Sequence, residues 1–253
     1  MRSKLGPYLV LIIFLLLNYI AAIGWWISSL ATLGILLFAY RIWPNDFRNR
    51  LGVPTRLVQV IISLSLLIIF LFLAYELMTY IRTQQGLGFS IGFPQNYFHI
   101  AFYTLNEEFI VGALLLFSLK KRFAHIHPMH LSWIAALIFA ILHIVFYKWI
   151  FLPPARGNLT VLTIISLTLV GMIRNNFILS TDHIGYAWTL HFSWMAIMFG
   201  CGFYNPETNI YLTEAERFNL FIGNPITLFV GSILAASTGI WLIGKSKTAL
   251  SEK

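Results

Sequence analysis

The sequence predicts an all-α membrane protein, a bundle of about eight transmembrane helices, and three observations support this class. Of the 253 residues, 58% are hydrophobic and only 10% are charged, whereas soluble domains carry about 25% charged residues. The apolar residues form runs of roughly 20, the length that crosses a hydrocarbon core of ~30 Å. Little polar sequence remains outside these runs, so we expect one integral membrane domain over residues 1–253.

The apolar runs place the spans in order along the chain. The first two share one apolar stretch, residues 7–43, which is too long for a single membrane-crossing helix. We therefore expect a tight hairpin near Gly24, with Trp25 and Trp26 as interfacial anchors. Short polar or basic segments separate the remaining runs. The predicted spans are 6–23, 25–43, 57–80, 97–119, 131–152, 158–179, 183–202 and 221–244.

The net charge of +8 comes from basic residues at the ends of the spans. Such residues set membrane orientation and contact anionic lipid headgroups, so we expect lipids as partners and no nucleic acid. With eight spans and both termini in the cytoplasm, the basic segments all lie on one side, as the positive-inside rule requires. We expect a multi-pass protein of a bacterial inner membrane. The basic residues assigned to the cytoplasmic side are Arg2, Lys4, Arg48, Arg50, Arg56, Lys120, Lys121, Arg122, Arg174, Lys245 and Lys247.

Glu107, Glu108, His143 and His191 lie in the middle of apolar runs within the predicted spans. A charged group at the bilayer centre costs at least ~2.5–3.5 kcal/mol, so such residues usually face a bundle interior and serve function. Counted from the outer ends of their spans, Glu107 and the two histidines all lie roughly 14–16 Å deep. The matching depth predicts one shared polar site inside the membrane.

These residue types are suited to two kinds of chemistry. A carboxylate beside a histidine in a wet intramembrane pocket can activate water, and a second histidine can stabilise the oxyanion formed at a peptide carbonyl. Alternatively, Glu107, His143 and His191 form a His₂Glu set that could bind zinc with one open position. The sequence leaves both interpretations open.

Three segments resemble motifs of the CPBP family of intramembrane proteases, which includes CAAX prenyl endopeptidases and bacteriocin-processing relatives. The family motifs are E-E-x-x-x-R, F-x-x-x-H and H-x-x-x-N or D, in that order on helices of an eight-helix bundle. The resemblance covers a core of about residues 97–202. The matching segments are Asn106-Glu107-Glu108-Phe109-Ile110-Val111-Gly112, Phe139-Ala140-Ile141-Leu142-His143 and Leu190-His191-Phe192-Ser193-Trp194-Met195.

The resemblance implies a role for each residue. Glu107 and His143 would activate water, His191 would stabilise the oxyanion, and Glu108 would orient the site. It implies a protein or peptide substrate in or at the membrane. It also implies glutamate-based catalysis that requires no metal cofactor, although an older zinc metalloprotease interpretation persists in the naming of the family.

The chain departs from the motifs at two positions. Gly112 replaces the arginine that, at i+4, could pair with Glu108. Glu108 is then expected to be protonated, hydrogen-bonded elsewhere or turned toward a wet cavity. Met195 replaces the amide of the third motif, and the loss of one oxyanion donor can lower a rate by ~10²–10³. The polar residues that could substitute for it are Ser193, Asn106, Thr104 and Asn175.

Two other functions compete with the protease. The departures at Gly112 and Met195 favour a non-catalytic relative that acts as a membrane scaffold or an immunity-type binding protein. The same carboxyl and imidazole groups could instead relay protons in a proton-coupled transporter, although such proteins more often have internal repeats and broken helices.

Three further patterns have simpler interpretations. We interpret the histidines at 125, 127 and 130 as part of a basic, solvated loop rather than a metal site. We interpret the G-x-S-x-G pattern at 88–92, in an outer loop with no preceding strand, as a chance match rather than a nucleophile elbow. The acidic segment 204–218 is interpreted as a connector, with a lid or a substrate-docking surface as alternatives.

Overall fold

The computed structural model describes residues 6–21, 25–151 and 156–251, which form a helical bundle with one small two-stranded sheet. Three of the helical stretches contain π-helical segments. In chain order the elements are α1 (Gly6–Ala21), α2 (Trp25–Ile42), α3 (Phe47–Leu51), α4 (Leu57–Gln84), β1 (Gly88–Ile91), α5 (Pro94–Glu107), a π-helical segment (Glu108–Leu115), α6 (Leu116–Arg122), α7 (Pro128–Val145), a π-helical segment (Phe146–Ile150), α8 (Val161–Thr181), α9 (Gly185–Gly200), β2 (Cys201–Tyr204), α10 (Glu214–Arg217), a π-helical segment (Phe218–Ile222) and α11 (Pro225–Ser251).

The helices confirm the predicted all-α membrane class. Each predicted span coincides with a helical stretch within the described residues. α1 and α2 are shorter apolar helices, and α9 has 16 residues, a length of about 24 Å. The number of membrane crossings therefore stays a prediction. Five helices of the described chain are long and apolar enough to cross a membrane, namely Leu57–Gln84, Pro94–Arg122, Pro128–Ile150, Val161–Thr181 and Pro225–Ser246.

The N-terminal end of the chain is described only in part. The predicted hairpin at Gly24 and the basic residues Arg2 and Lys4 lie outside the described residues. The two helices on either side of that position, α1 and α2, pack against each other.

Helices α8 and α9 form the centre of the bundle. α8 packs between α7 and α11, α9 packs between α4 and α5, and the two central helices contact each other. The π-helical segment Glu108–Leu115 is buried over its whole length and contacts both α1 and α8. The core of the molecule is therefore built around the residues that follow Glu107.

The sheet is a departure from the purely helical prediction. β1 pairs antiparallel with β2, and Gly88 lies opposite Tyr204. A side chain at Gly88 would overlap the Tyr204 ring, and one at Gly92 would overlap the Gly200 carbonyl. The glycines of the G-x-S-x-G pattern thus permit close packing at this end of the bundle, as glycine in a strand often does.

The basic ends of several elements meet at the opposite end of the bundle. Lys120 Nζ lies 3.0 Å from Asp182 Oδ1, and Arg50 Nη1 lies 3.8 Å from the same oxygen. Arg50 Nε also lies 2.7 Å from Asp46 Oδ2. The ends of α3, α6 and α8 therefore share one face, in agreement with the one-sided distribution of basic residues in the sequence.

Candidate active site

Four elements bring the four candidate residues of the sequence analysis into one buried cluster. Glu107 ends α5, Glu108 begins the π-helical segment that follows, His143 lies on α7 and His191 lies on α9. The exposed fraction is 2% for Glu107, 0% for Glu108 and 8% for each histidine. The helix changes from α to π between the two glutamates, and π-helical segments occur frequently at functional sites.

Glu108 orients the imidazole of His191. His191 Nδ1 lies 2.9 Å from Glu108 Oε1, whereas His191 Nε2 lies 3.9 Å from Glu107 Oε2. An ionised carboxylate only accepts hydrogen bonds, so Nδ1–H is the donor to Glu108. This bond selects the tautomer and directs Nε2 toward Glu107.

Arg174 lies opposite the two carboxylates. Its Nε atom is 2.5 Å from Glu108 Oε1, and its Nη1 atom is 3.6 Å from Glu107 Oε1. The Nε contact is an ion pair whose angle is not that of a hydrogen bond. The guanidinium also lies 4.3 Å from the centre of the Phe139 ring. One cation thus offsets the repulsion between two adjacent buried carboxylates.

The placement of Arg174 corrects the sequence analysis, which assigned this residue to the basic cytoplasmic end of its span. Arg174 is 1% exposed in the interior of α8, seven residues before the helix ends at Thr181. The sequence did contain a signal, because Arg174, Asn175 and Asn176 are consecutive polar residues well inside an apolar run. Intramembrane cations usually pair with carboxylates, so a partner could have been sought among the glutamates.

The two glutamates differ in how firmly the described residues hold their carboxylates. Glu107 Oε1 accepts no hydrogen bond from the described residues, although it is fully buried. Roughly 90% or more of buried polar groups have a hydrogen-bond partner, and the exceptions are often catalytic groups or sites for bound water. Glu108 Oε2 is likewise buried without a hydrogen bond from the described residues, but Glu108 Oε1 is held by both Arg174 and His191. Glu107 is therefore the less engaged of the two carboxylates and the better placed to accept a hydrogen bond from a reactant.

His143 lies beside this cluster with its ring orientation fixed. Its Nδ1 atom is 2.9 Å from the Phe139 carbonyl oxygen one helical turn earlier, so Nδ1–H donates to that oxygen. The His143 ring is 4.4 Å from the Phe139 ring, which also contacts Arg174. His143 interacts electrostatically with Glu107, His191 and Arg174. In the neutral ring, Nε2 then has a free lone pair near the carboxylate cluster.

Gly112 and Arg174 together account for the missing arginine of the first motif. A Cβ at position 112 would lie 2.7 Å from Ile178 Cδ1 and 3.2 Å from Glu108 Oε2. The space beside Glu108 is filled by α8, which supplies the cation from Arg174. The sequence predicted that Glu108 is protonated, hydrogen-bonded elsewhere or turned toward a wet cavity. The structure shows the second of these, because Glu108 accepts a hydrogen bond from His191, and Arg174 adds an ion pair.

Replacing Gly112 with alanine is expected to destabilise the protein by about 1 kcal/mol, because the added methyl group must shift the Ile178 Cδ1 methyl and also approaches Glu108 Oε2. The matched control is Gly34→Ala in α2, where the added Cβ meets no atom within 4 Å. That change should be neutral or stabilising by roughly 0.5–1 kcal/mol, the helix preference for alanine over glycine. Unfolding in detergent micelles measures both. Equal stabilities of the two variants would contradict the packing at Gly112.

The candidate substitutes for the missing amide donor are engaged elsewhere. Each of them donates to a backbone carbonyl: Ser193 to Thr189, Asn106 to Ser28, Thr104 to Ile100 and Asn175 to Ser132. The structure therefore points to none of these four as an oxyanion donor. The site groups that keep hydrogen-bonding capacity are His191 Nε2, 3.9 Å from Glu107, and Arg174 Nη2, which has no hydrogen-bond partner among the described residues.

The described residues contain no group of three His, Cys, Asp or Glu side chains placed to hold a metal ion. Zinc ligands lie about 2.0–2.2 Å from the metal in a tetrahedral arrangement. In the cluster, the Arg174 guanidinium instead contacts both carboxylates. The His₂Glu zinc set does not fit this arrangement. The histidines at 125, 127 and 130 are exposed.

The fold and the cluster define a class of protein, a helical membrane bundle with a buried site of two glutamates, an arginine and two histidines. A scan against protein-family models, a search of curated proteins and a search of solved structures each found no match.

Proposed function

We propose that this protein is an intramembrane endopeptidase of the CPBP type, which hydrolyses a peptide bond in a membrane-associated protein or peptide. One observation carries the proposal: Glu107 has a buried carboxylate oxygen without a hydrogen bond from the described residues, beside a histidine whose orientation is set by Glu108. A carboxylate and an imidazole so placed are the groups that general-base hydrolysis requires.

Water activation is the first proposed step. A water molecule bound between Glu107 and His143 gives one proton to the Glu107 carboxylate as its oxygen forms a bond to the substrate carbonyl carbon. No ion pair or hydrogen bond joins these two side chains within the described residues. The proposal therefore places a water between them, and the second O–H of that water donates a hydrogen bond to the His143 Nε2 lone pair.

Stabilisation of the oxyanion is the second step. As the C–O bond forms, the carbonyl π electrons move to the oxygen, which becomes negatively charged. His191 Nε2–H can donate to this oxygen when the ring is protonated, and Glu108 offsets the positive charge through Nδ1. Arg174 adds a fixed positive charge beside the same carboxylates. Preorganised donors of this kind are often the largest single contribution to catalysis.

Collapse of the intermediate completes the reaction. The oxyanion reforms the carbonyl, the C–N bond breaks, and the leaving nitrogen takes the proton held by Glu107. The products are a new carboxyl terminus and a new amine, and Glu107 returns to its ionised form. No redox partner is needed, and the buried, desolvated site strengthens each of these electrostatic interactions.

The proposal includes the setting of the site. We infer a multi-pass protein of a bacterial inner membrane, with the end of the bundle that carries Lys120 and Arg50 facing the cytoplasm and anionic lipids. The grouping of basic residues at that end supports this orientation. Both termini would then lie in the cytoplasm, and the loop with Glu207 and Glu216 would lie on the opposite side.

The test of the proposal is hydrolysis itself. Purified protein in liposomes is incubated with a library of membrane-spanning and lipidated peptides in water enriched in oxygen-18, and products are analysed by mass spectrometry. We expect new carboxyl termini that contain one heavy oxygen from water.

The rival function is a non-catalytic scaffold, which is favoured by the almost complete burial of the cluster and by Gly112 and Met195. Binding of peptides without labelled products would support the scaffold.

A further inference from the structure

The buried site must open before water and a peptide can reach it. Phe218, the first residue of the π-helical segment before α11, covers it on the side away from the basic end of the bundle. The centre of the Phe218 ring lies 5.7 Å from that of His143, 5.1 Å from that of Tyr147 and 5.4 Å from that of Phe199. Only 4% of Phe218 is exposed, so the ring fills the space directly over His143.

The segment that carries Phe218 is short and is bounded by structured turns. It consists of α10 and the π-helical segment Phe218–Ile222 that follows it. We call these two elements together the cover segment. Thr213 begins it with a capping box, in which its hydroxyl accepts from the Glu216 backbone N–H. Gly223 and Asn224 separate it from α11. It is thus a compact unit between two chain connections rather than part of a long span.

Side-chain contacts fasten the cover segment to the bundle. The Tyr147 hydroxyl donates to Glu214 Oε2 over 3.5 Å, at the weak limit for a hydrogen bond. Arg217 Nη1 donates to the carbonyls of Met198 and Cys201 over 3.3 and 3.2 Å. Tyr147 lies one helical turn beyond His143, and its ring also contacts Phe218. One of these contacts therefore ends on a residue that packs against Phe218 close to His143.

The long helices around the site are less suited to opening. Glu107, Arg174 and His191 lie on three helices that are joined by the buried ion pairs described above. Separating them would leave buried charges without partners, which costs about 3–5 kcal/mol per broken pair. The cover segment is held by hydrogen bonds and ring contacts, including the hydrogen bonds of Asn219 with Thr160, Thr163 and Asn158, so its movement separates no ion pair of the buried cluster.

We infer that the cover segment is the gate of the candidate active site, with Phe218 as its plug and the Tyr147–Glu214 contact as its latch. Water and an extended peptide then enter from the end of the bundle opposite Lys120 and Arg50. The purpose of such a gate rests on the proposed function, but its movement can be measured without any hydrolysis. This inference selects the lid among the three roles considered for the acidic loop.

The test measures how fast diethyl pyrocarbonate modifies each histidine, by mass spectrometry of the full-length protein in detergent micelles. We expect Phe218→Ala to increase the modification rate of His143 about tenfold, because the opened state becomes more populated. Tyr147→Phe removes the latch with little loss of packing and should give a smaller increase. Phe229→Ala is the matched control, since Phe229 is 67% exposed on α11.

The exposed histidines at 125, 127 and 130 serve as internal references and should react at the same rate in every variant. Unchanged His143 reactivity in both Phe218→Ala and Tyr147→Phe would overturn the gate, whether or not the protein hydrolyses peptides. If Phe218→Ala fails to fold, the result with Tyr147→Phe decides. A faster reaction of His143 in a protein that cleaves no peptide would support the gate and count against the proposed protease.

Discussion

Replacing Arg174 with methionine is expected to lower the free energy of unfolding by about 3–5 kcal/mol, the effect of removing one partner from a buried ion pair. The change leaves Glu107 and Glu108 side by side without the cation that lies 3.6 and 2.5 Å from them. Methionine has a similar length and is apolar, so the loss of charge rather than of volume dominates. Chemical unfolding in mixed micelles measures the difference.

The matched control is Arg41→Met at the exposed end of α2, which should change stability by less than about 0.5 kcal/mol. A second variant, Arg174→Met combined with Glu108→Gln, removes one of the uncompensated charges and should recover part of the loss. If Arg174→Met is as stable as the Arg41→Met control, Arg174 does not compensate the glutamates, and the arrangement described for the cluster is wrong.

Replacing Glu107 with glutamine is expected to reduce the rate of peptide hydrolysis by about 10²–10⁴, the usual contribution of a general base. Glutamine keeps the shape of the side chain but cannot accept a proton from water. The effect should fall on kcat rather than on peptide binding, because the proton is transferred in the transition state. Oxygen-18 incorporation into products under saturating peptide measures it.

Glu76→Gln provides the control for this experiment. Glu76 is also a glutamate of a predicted span, but it is exposed on α4. We expect its replacement to leave hydrolysis unchanged. Full activity of the Glu107→Gln variant, with folding intact, would exclude Glu107 as the base and remove the main support for the protease proposal.

Much of the fold could be predicted because the bilayer imposes simple rules on sequence. A span must be apolar over about 20 residues, since hydrocarbon offers no hydrogen-bond partners to the backbone. Such runs are visible in α4, α7, α8 and α11. The short sheet of β1 and β2 was missed, because its strands have four residues each and pair across more than a hundred positions of the chain.

The ionisable candidates of the site could also be predicted, because a buried glutamate or histidine in an apolar run is conspicuous. Glu107, Glu108 and His191 meet within ion-pair distance, and His143 lies beside them. The partner of the carboxylates was assigned to the wrong place. Arg174 was interpreted as an orienting charge, because a rule that counts basic residues near span ends does not show which of them turn inward.

The sequence by itself determined the membrane class, the order of the helices and the four ionisable residues of the site, because each depends on local composition and spacing. Only the tertiary structure decided that Arg174 takes the place left open at Gly112, that the expected amide substitutes are bonded to carbonyls, and that Phe218 covers His143. These contacts join residues far apart in the chain. They depend on how helices rotate and approach one another, which is set by packing of the whole bundle rather than by the pattern within any one helix.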